Sequence, residues 1–237
     1  MKETIYTIPL SEAMEENGEC AFCFLEEKLE QEQVAYALGP AMMEPDYRIL
    51  SNEKGFCRRH MEQMSREKKA LPLALVLDTR ADEVISRLKA VRPNERKSGL
   101  LGKKRTDYEK LVETANALAD SCLVCERIAS TMKKFYHTFW YLYEKESDFR
   151  SRVLASKGFC LHHFAGLLSS MDKLGGKKEQ FAREVYELEL KVLSGMKEDV
   201  HGFTKQFDYR ADKENWQGPK DAHLLAAARL SQSFERD

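Results

Sequence analysis

Apolar residues recur along this chain at intervals of three and four, the spacing of helices that bury one face, and no segment sustains the alternation expected of a strand. Phe22, Leu25, Leu29 and Tyr36 make one such stripe between Cys20 and Leu38, where Gly39-Pro40 stops the helix. Shorter helices are expected over 11–16, closed by Asn17-Gly18, and over 45–50. Pro72 suits the first turn of a helix running to about Val91, with Val84, Leu88 and Val91 inward. Thr106-Asp-Tyr-Glu109 is a capping box opening a helix striped by Tyr108, Leu111, Ala115 and Leu118. After Cys122 the stripe is Ile128, Met132, Phe135, Phe139 and Leu142, thickened by Tyr136, Trp140, Tyr141 and Tyr143. That aromatic density reads as a core or interface face rather than a cofactor-stacking surface. An apolar helix from His163 to about Met171, a break at Gly175-Gly176, a long helix carrying Phe181, Val185, Leu188, Val192 and Met196, and an alanine-rich helix over about 220–231 complete an all-α expectation.

The pattern is said twice. Cys20-Ala-Phe-Cys23 is answered by Gly55-Phe-Cys-Arg-Arg-His60, and Cys122-Leu-Val-Cys125 by Gly158-Phe-Cys-Leu-His-His163. The spacings are C-x2-C-x33-C-x2-H and C-x2-C-x34-C-x2-H. Pro45-Asp-Tyr-Arg48 precedes the first Gly-Phe-Cys much as Ser147-Asp-Phe-Arg150 precedes the second. Two similar helical halves related by internal duplication are therefore expected. The divisions are a first Cys3His repeat over 1–91, a basic linker over 92–105, a second Cys3His repeat over 106–202 and a tail with a terminal helix over 203–237.

Composition narrows the chemistry. With 38 basic and 39 acidic residues among 237, the net charge is -1, which gives no global field for nucleic acid or an anionic membrane. Six basic side chains in the linker form a local patch, which reads as a solvated run before a docking segment. The longest apolar run, Leu71 to Leu77, is far too short to span a bilayer, and the first residues contain no apolar stretch of signal-peptide length, so no membrane insertion and a cytoplasmic address are expected. Six cysteines, all inside the repeated pattern, then read as metal ligands or working thiols and not as a disulfide framework.

Three thiolates and one imidazole complete the tetrahedron that Zn2+ prefers. Grouping ligands by copy puts Cys20, Cys23, Cys57 and His60 around one ion and Cys122, Cys125, Cys160 and His163 around the other. This grouping, one ion per repeat, is the expected one, although the sequence does not decide it against Cys-x-x-Cys of one half with Cys-x-x-His of the other. The repeat chooses His163 as the ligand over His162, whose counterpart is Arg59. An iron-sulfur cluster could use the same ligands. A thiol-disulfide enzyme explains the Cys-x-x-Cys pairs but not the recurring third cysteine and histidine. Covalent haem is excluded because Phe24 and Glu126 stand where its histidine is required. His137, His201 and His223 stand outside the pattern and read as surface residues.

With these motifs, the Phe207-Asp-Tyr-Arg210 segment and Trp216, the chain resembles an uncharacterised bacterial family of cysteine-rich proteins of similar length. The resemblance implies the duplicated architecture and supplies no activity. The expectation is thus a non-enzymatic protein with two zinc ions in closed, structural sites, acting through a protein partner or self-association, with nucleic acid disfavoured. Its rivals are a redox protein built on an iron-sulfur centre or an oxidisable zinc-thiolate, and an enzyme whose cleft between the halves would draw on Asp46, Arg48, Asp148 and Arg150.

Overall fold

A computed structural model describes residues 5–16, 20–93, 107–207 and 218–231. Among these every regular element is helical. The α-helices, in chain order, are α1 (Thr7–Glu15), α2 (Ala21–Ala37), α3 (Pro45–Lys54), α4 (Arg58–Arg66), α5 (Ala70–Ala90), α6 (Asp107–Ala119), α7 (Leu123–Lys145), α8 (Ser147–Ala155), α9 (Leu161–Ser169), α10 (Lys178–Lys205) and α11 (Ala222–Leu230). Short 3-10 turns at Pro40–Met43, Met171–Lys173 and Gly175–Lys177 join some of them. Thr106 of the capping box, most of the basic linker and the segment holding Trp216 lie outside the described residues.

The chain forms two compact units, one of Met1–Lys28 with Ser130–Asp237, the other of Leu29–Ala129. They divide the chain differently from the two sequence halves, because each boundary falls inside a long helix, α2 and α7.

The first unit is built on aromatic rings. Phe22 lies 5.0 Å from Tyr136 and 5.7 Å from both Phe139 and Phe159, centroid to centroid. Phe139 also meets Phe149 and Tyr143, and Tyr143 reaches Phe181 on α10. Phe22, Phe139, Phe149 and Phe159 are fully buried. Tilted and edge-on geometries add to the roughly 1.5–3 kcal/mol gained by burying each ring. The aromatic stripe of α7 is thus core, as its spacing suggested. The indole N–H of Trp140 donates to Leu167 O at 2.9 Å, which satisfies a carbonyl at the end of α9. Gly166 lies where any side chain would collide with the Tyr136 ring, 2.7 Å from a hypothetical Cβ, so α7 and α9 approach closely.

The second unit has an aliphatic core of Val34, Ala37, Leu38, Ala41, Tyr47, Met64, Val76 and Leu123. Arg127 spreads its guanidinium over the Tyr47 ring at 4.6 Å, a cation–π contact that covers one edge of this core. Here the stripes anticipated on two helices are corrected. On α5 only Val76 is buried and Leu88 is exposed, while α6 buries no residue and leaves Tyr108 and Val112 exposed. On α5 the half-buried polar groups Thr79 and Arg80 carry the hydrogen bonds described below, and Arg80 reaches the Leu118 carbonyl of α6.

Candidate metal centres

Four helices begin immediately after a cysteine of the pattern. Cys20 precedes α2, Cys57 precedes α4, Cys122 precedes α7 and Cys160 precedes α9. A helix start presents unpaired amide N–H groups and the positive end of the helix dipole, both of which stabilise thiolates. The chain reaches Cys57 and Cys160 through glycines with φ +66° and +72°. That left-handed region is readily adopted only by glycine, which is why the Gly-Phe-Cys triplet recurs.

The grouping of these ligands is exchanged relative to the expectation by copy. Cys20 and Cys23 meet Cys160 and His163 in the first unit, and Cys57 and His60 meet Cys122 and Cys125 in the second, each set within 4.8 Å. All eight expected residues are brought together, but Cys-x-x-Cys of one half joins Cys-x-x-His of the other. The physical reason in the second unit is backbone pairing: Leu123 N–H donates to Gly55 O at 3.0 Å and Ser121 Oγ to Lys54 O at 2.5 Å. These bonds lay the start of α7 against the end of α3.

In the first set, His163 Nδ1 lies 3.1 Å from Cys160 Sγ, 3.4 Å from Cys23 Sγ and 3.6 Å from Cys20 Sγ, and Cys23 and Cys160 are 3.6 Å apart. In the second, His60 Nδ1 lies 3.2 Å from Cys57, 3.3 Å from Cys122 and 3.4 Å from Cys125, and Cys57 and Cys125 are 3.8 Å apart. Tetrahedral zinc, with Zn–S about 2.3 Å and Zn–N about 2.0 Å, requires S···S near ~3.8 Å and S···N near ~3.5 Å. The donor set and spacing therefore fit a four-coordinate thiophilic ion. The imidazole faces that point through Nδ1 in both sets.

Nε2 is engaged elsewhere. His60 Nε2 lies 2.8 Å from Glu30 Oε1, and Glu30 is itself held by Arg59 at 2.8 Å. His163 Nε2 lies 3.3 Å from Glu26 Oε2, a longer contact that leaves this nitrogen without a well-aligned hydrogen bond. A carboxylate on the far nitrogen fixes which tautomer is available and makes the ligating nitrogen more basic.

Electrostatics point the same way. Burial opposes charge on His60, yet its contacts with Cys122 and Glu30 raise it to about 10, and His163 is raised to about 12 by Cys160 and Cys20 against the same penalty. Burial likewise opposes the Cys122 thiolate, but His60 draws that thiol down to about 6. Hydrogen bonds from Cys20 and Cys23 hold Cys160 far below the usual thiol range, while Cys23, donating to Cys160, is pushed far above it. Cys125 is pushed up by burial and the neighbouring Cys122 charge. In each set three sulfurs lie within 4.8 Å of one imidazole nitrogen, a donor set whose negative charge a divalent cation could offset.

Buried charges brace both turns from behind. In the first unit the Phe159 peptide is clamped: its N–H donates to Glu189 Oε2 at 2.9 Å and its carbonyl accepts from Arg229 Nη1 at 2.9 Å. Glu189 and Arg229 are 2% and 3% exposed, so the cost of burying them has to be offset by these hydrogen bonds. In the second unit Arg80 packs against Gly55 and donates to Asn52 O at 2.5 Å and Leu118 O at 3.2 Å. Sequence reading missed these residues, although a signal exists. Glu189 sits at stripe spacing from Val185 and Val192, and Arg229 at stripe spacing from Ala222 and Ala226, and a charge in an apolar stripe needs a buried partner.

Asp46 and Arg48 lie in the second unit, Asp148 and Arg150 in the first. Arg48 reaches Thr79, and Arg150 pairs with Glu184 over the Tyr143 and Phe181 rings. His162 is exposed beside His163, His137 is half-buried, and His223 stacks on Phe203. No helix is long and apolar enough to cross a membrane among the described residues.

No curated protein and no solved structure matches this chain. One family model does, across residues 1–237, and the chain belongs to that family, a family of unknown function designated DUF6062.

Proposed function

We propose that this protein binds two zinc ions, one through Cys20, Cys23, Cys160 and His163, the other through Cys57, His60, Cys122 and Cys125, and that both are structural. The observation that carries this reading is convergence: in each unit one imidazole nitrogen and three sulfurs from two separate segments lie within 4.8 Å of one another. Zinc is favoured by the mixed sulfur and nitrogen donors and the tetrahedral spacing. When bound, the ion supplies the positive charge that lets all three thiols ionise and ties two helix starts together. Four protein ligands leave no open position for water or substrate, which supports a role in holding shape over one in catalysis. Function then rests on recognition of a protein partner or a second copy. The net charge of -1 gives nucleic acid no general attraction. The recurrence of the glycine turn, the Cys N-cap and the Nδ1 geometry in both units supports descent of the halves from one ancestral repeat.

Elemental analysis with an absorption spectrum, on protein purified anaerobically without an affinity metal column, tests this directly. Two zinc per chain and no visible absorbance are expected. Iron with sulfide absorbance would replace structural zinc with an electron-carrying or sensing centre, and metal-free protein would overturn the proposal.

A further inference from the structure

The two centres share a ligand set but differ in how they meet solvent. In the first, Cys20 and Cys160 are buried and Cys23 alone is exposed. Its histidine is covered by Phe22 at 5.8 Å and Tyr136 at 6.4 Å, and Glu189 and Arg229 clamp the peptide preceding Cys160. In the second, only Cys122 is buried. Cys125 is exposed, Cys57 is half-buried, and their sulfurs are 3.8 Å apart on different segments. Among the described residues no aromatic ring packs on His60, and the adjoining α6 buries no side chain.

We propose that Cys57 and Cys125 are an oxidation site for small hydroperoxides, and that their oxidation to a disulfide empties the second centre while the first keeps its ion. This rests on the zinc reading above. The exposed Cys125 thiolate attacks the outer oxygen of the hydroperoxide. The O–O bond breaks, an alkoxide or hydroxide leaves, and Cys125 becomes a sulfenic acid. The Cys57 thiolate attacks that sulfur, the S–S bond forms and hydroxide departs. Two thiolates thus lose two electrons to one hydroperoxide, giving one disulfide, the alkoxide and hydroxide. Only Cys122 and His60 remain for the zinc, too few to retain it against water and chelator. Closing the sulfurs to the ~2.05 Å of a disulfide needs one segment to move. In the first centre the corresponding pair, Cys23 and Cys160, has one buried sulfur, and the backbone at Phe159, next to Cys160, is clamped, which opposes that movement.

Zinc content of the purified full chain is measured first, so that loss of the zinc reading is seen before any oxidant is added. Hydrogen peroxide is then added with a chromophoric chelator present, and the products are mapped by non-reducing peptide mass spectrometry. The expected result is loss of one of the two zinc equivalents in an early phase, with a Cys57–Cys125 disulfide, and retention of the other. Equal release from both centres, or a first disulfide joining Cys23 to Cys160, would overturn it. Because a Cys125→Ser variant would itself lose zinc, a second measurement uses native protein. Brief alkylation with iodoacetamide should label Cys57 and Cys125 before Cys20 and Cys160, and the reverse order would count against the assignment.

Discussion

At the scale of single residues, the glutamates behind the histidines and the glycines before the cysteines are the most informative. Glu30→Gln removes the charge that orients His60, and metal affinity at that centre should fall about 10–100-fold, as measured by competition with a coloured chelator. The first centre should be unchanged in the same titration. Gly55→Ala places a Cβ 2.7 Å from Arg80 Nε in a backbone conformation that alanine resists. A loss of about 1–3 kcal/mol in denaturant unfolding is expected. Glu184 gives a pH test on a group outside both candidate ligand sets. Burial raises its pKa, but hydrogen bonds from Tyr143, Gln180 and Arg150 outweigh this and leave it lowered from 4.5. Its contribution to stability is therefore present above that value and lost as pH falls through the lower folded value. Thermal melts in acid should show a Glu184→Gln variant losing less stability over that window than the parent.

At the scale of elements, the helices were largely legible and the faces of two were not. The end of α2 at Gly39-Pro40, the start of α3 at Pro45 and the break before α10 follow from local backbone rules that a single sequence carries. The burial of α7 was equally plain, because five large apolar residues at helical spacing leave no other face to bury. The faces of α5 and α6 were misread because, beside the apolar Leu73 and Val76, contacts are made by Thr79, Arg80 and the Leu118 carbonyl, polar groups that periodicity does not count. The buried charge on α11 leads to a prediction at this scale. Removing residues 218–237 takes Arg229 from the Phe159 carbonyl and leaves Glu189 buried without that partner. Metal affinity should fall at the first centre and hold at the second. A uniform loss at both would show that α11 does not act through the Phe159 peptide.

At the scale of the whole molecule, the eight residues that converge were legible and their grouping was not. Spacing identifies a Cys-x-x-Cys and a Cys-x-x-His that need partners, but each pair is chemically identical to its copy. The choice is made by tertiary bonds such as that between Leu123 and Gly55. Double variants distinguish the groupings: Cys20→Ser with Cys160→Ser should cost one metal ion per chain, and Cys20→Ser with Cys57→Ser should cost both. Ligands grouped by sequence copy would give the opposite result.

The exchange also orders events during synthesis. Cys57 and Cys125 are 68 residues apart, whereas Cys23 and Cys160 are 137 apart and enclose the whole of that inner span. The two closures are nested, like a clasp inside a clasp. Doubling a loop adds only about 0.6 kcal/mol to its closure cost, so the outer clasp is not much dearer in entropy than the inner one. The difference is timing. A ribosome delivers all four residues of the inner cluster before it makes Cys160, so the inner unit can close while Cys20 and Cys23 are still waiting for a partner. If the zinc reading holds, a nascent chain arrested between the two stages would carry one ion, with the Cys20 and Cys23 thiols still unprotected.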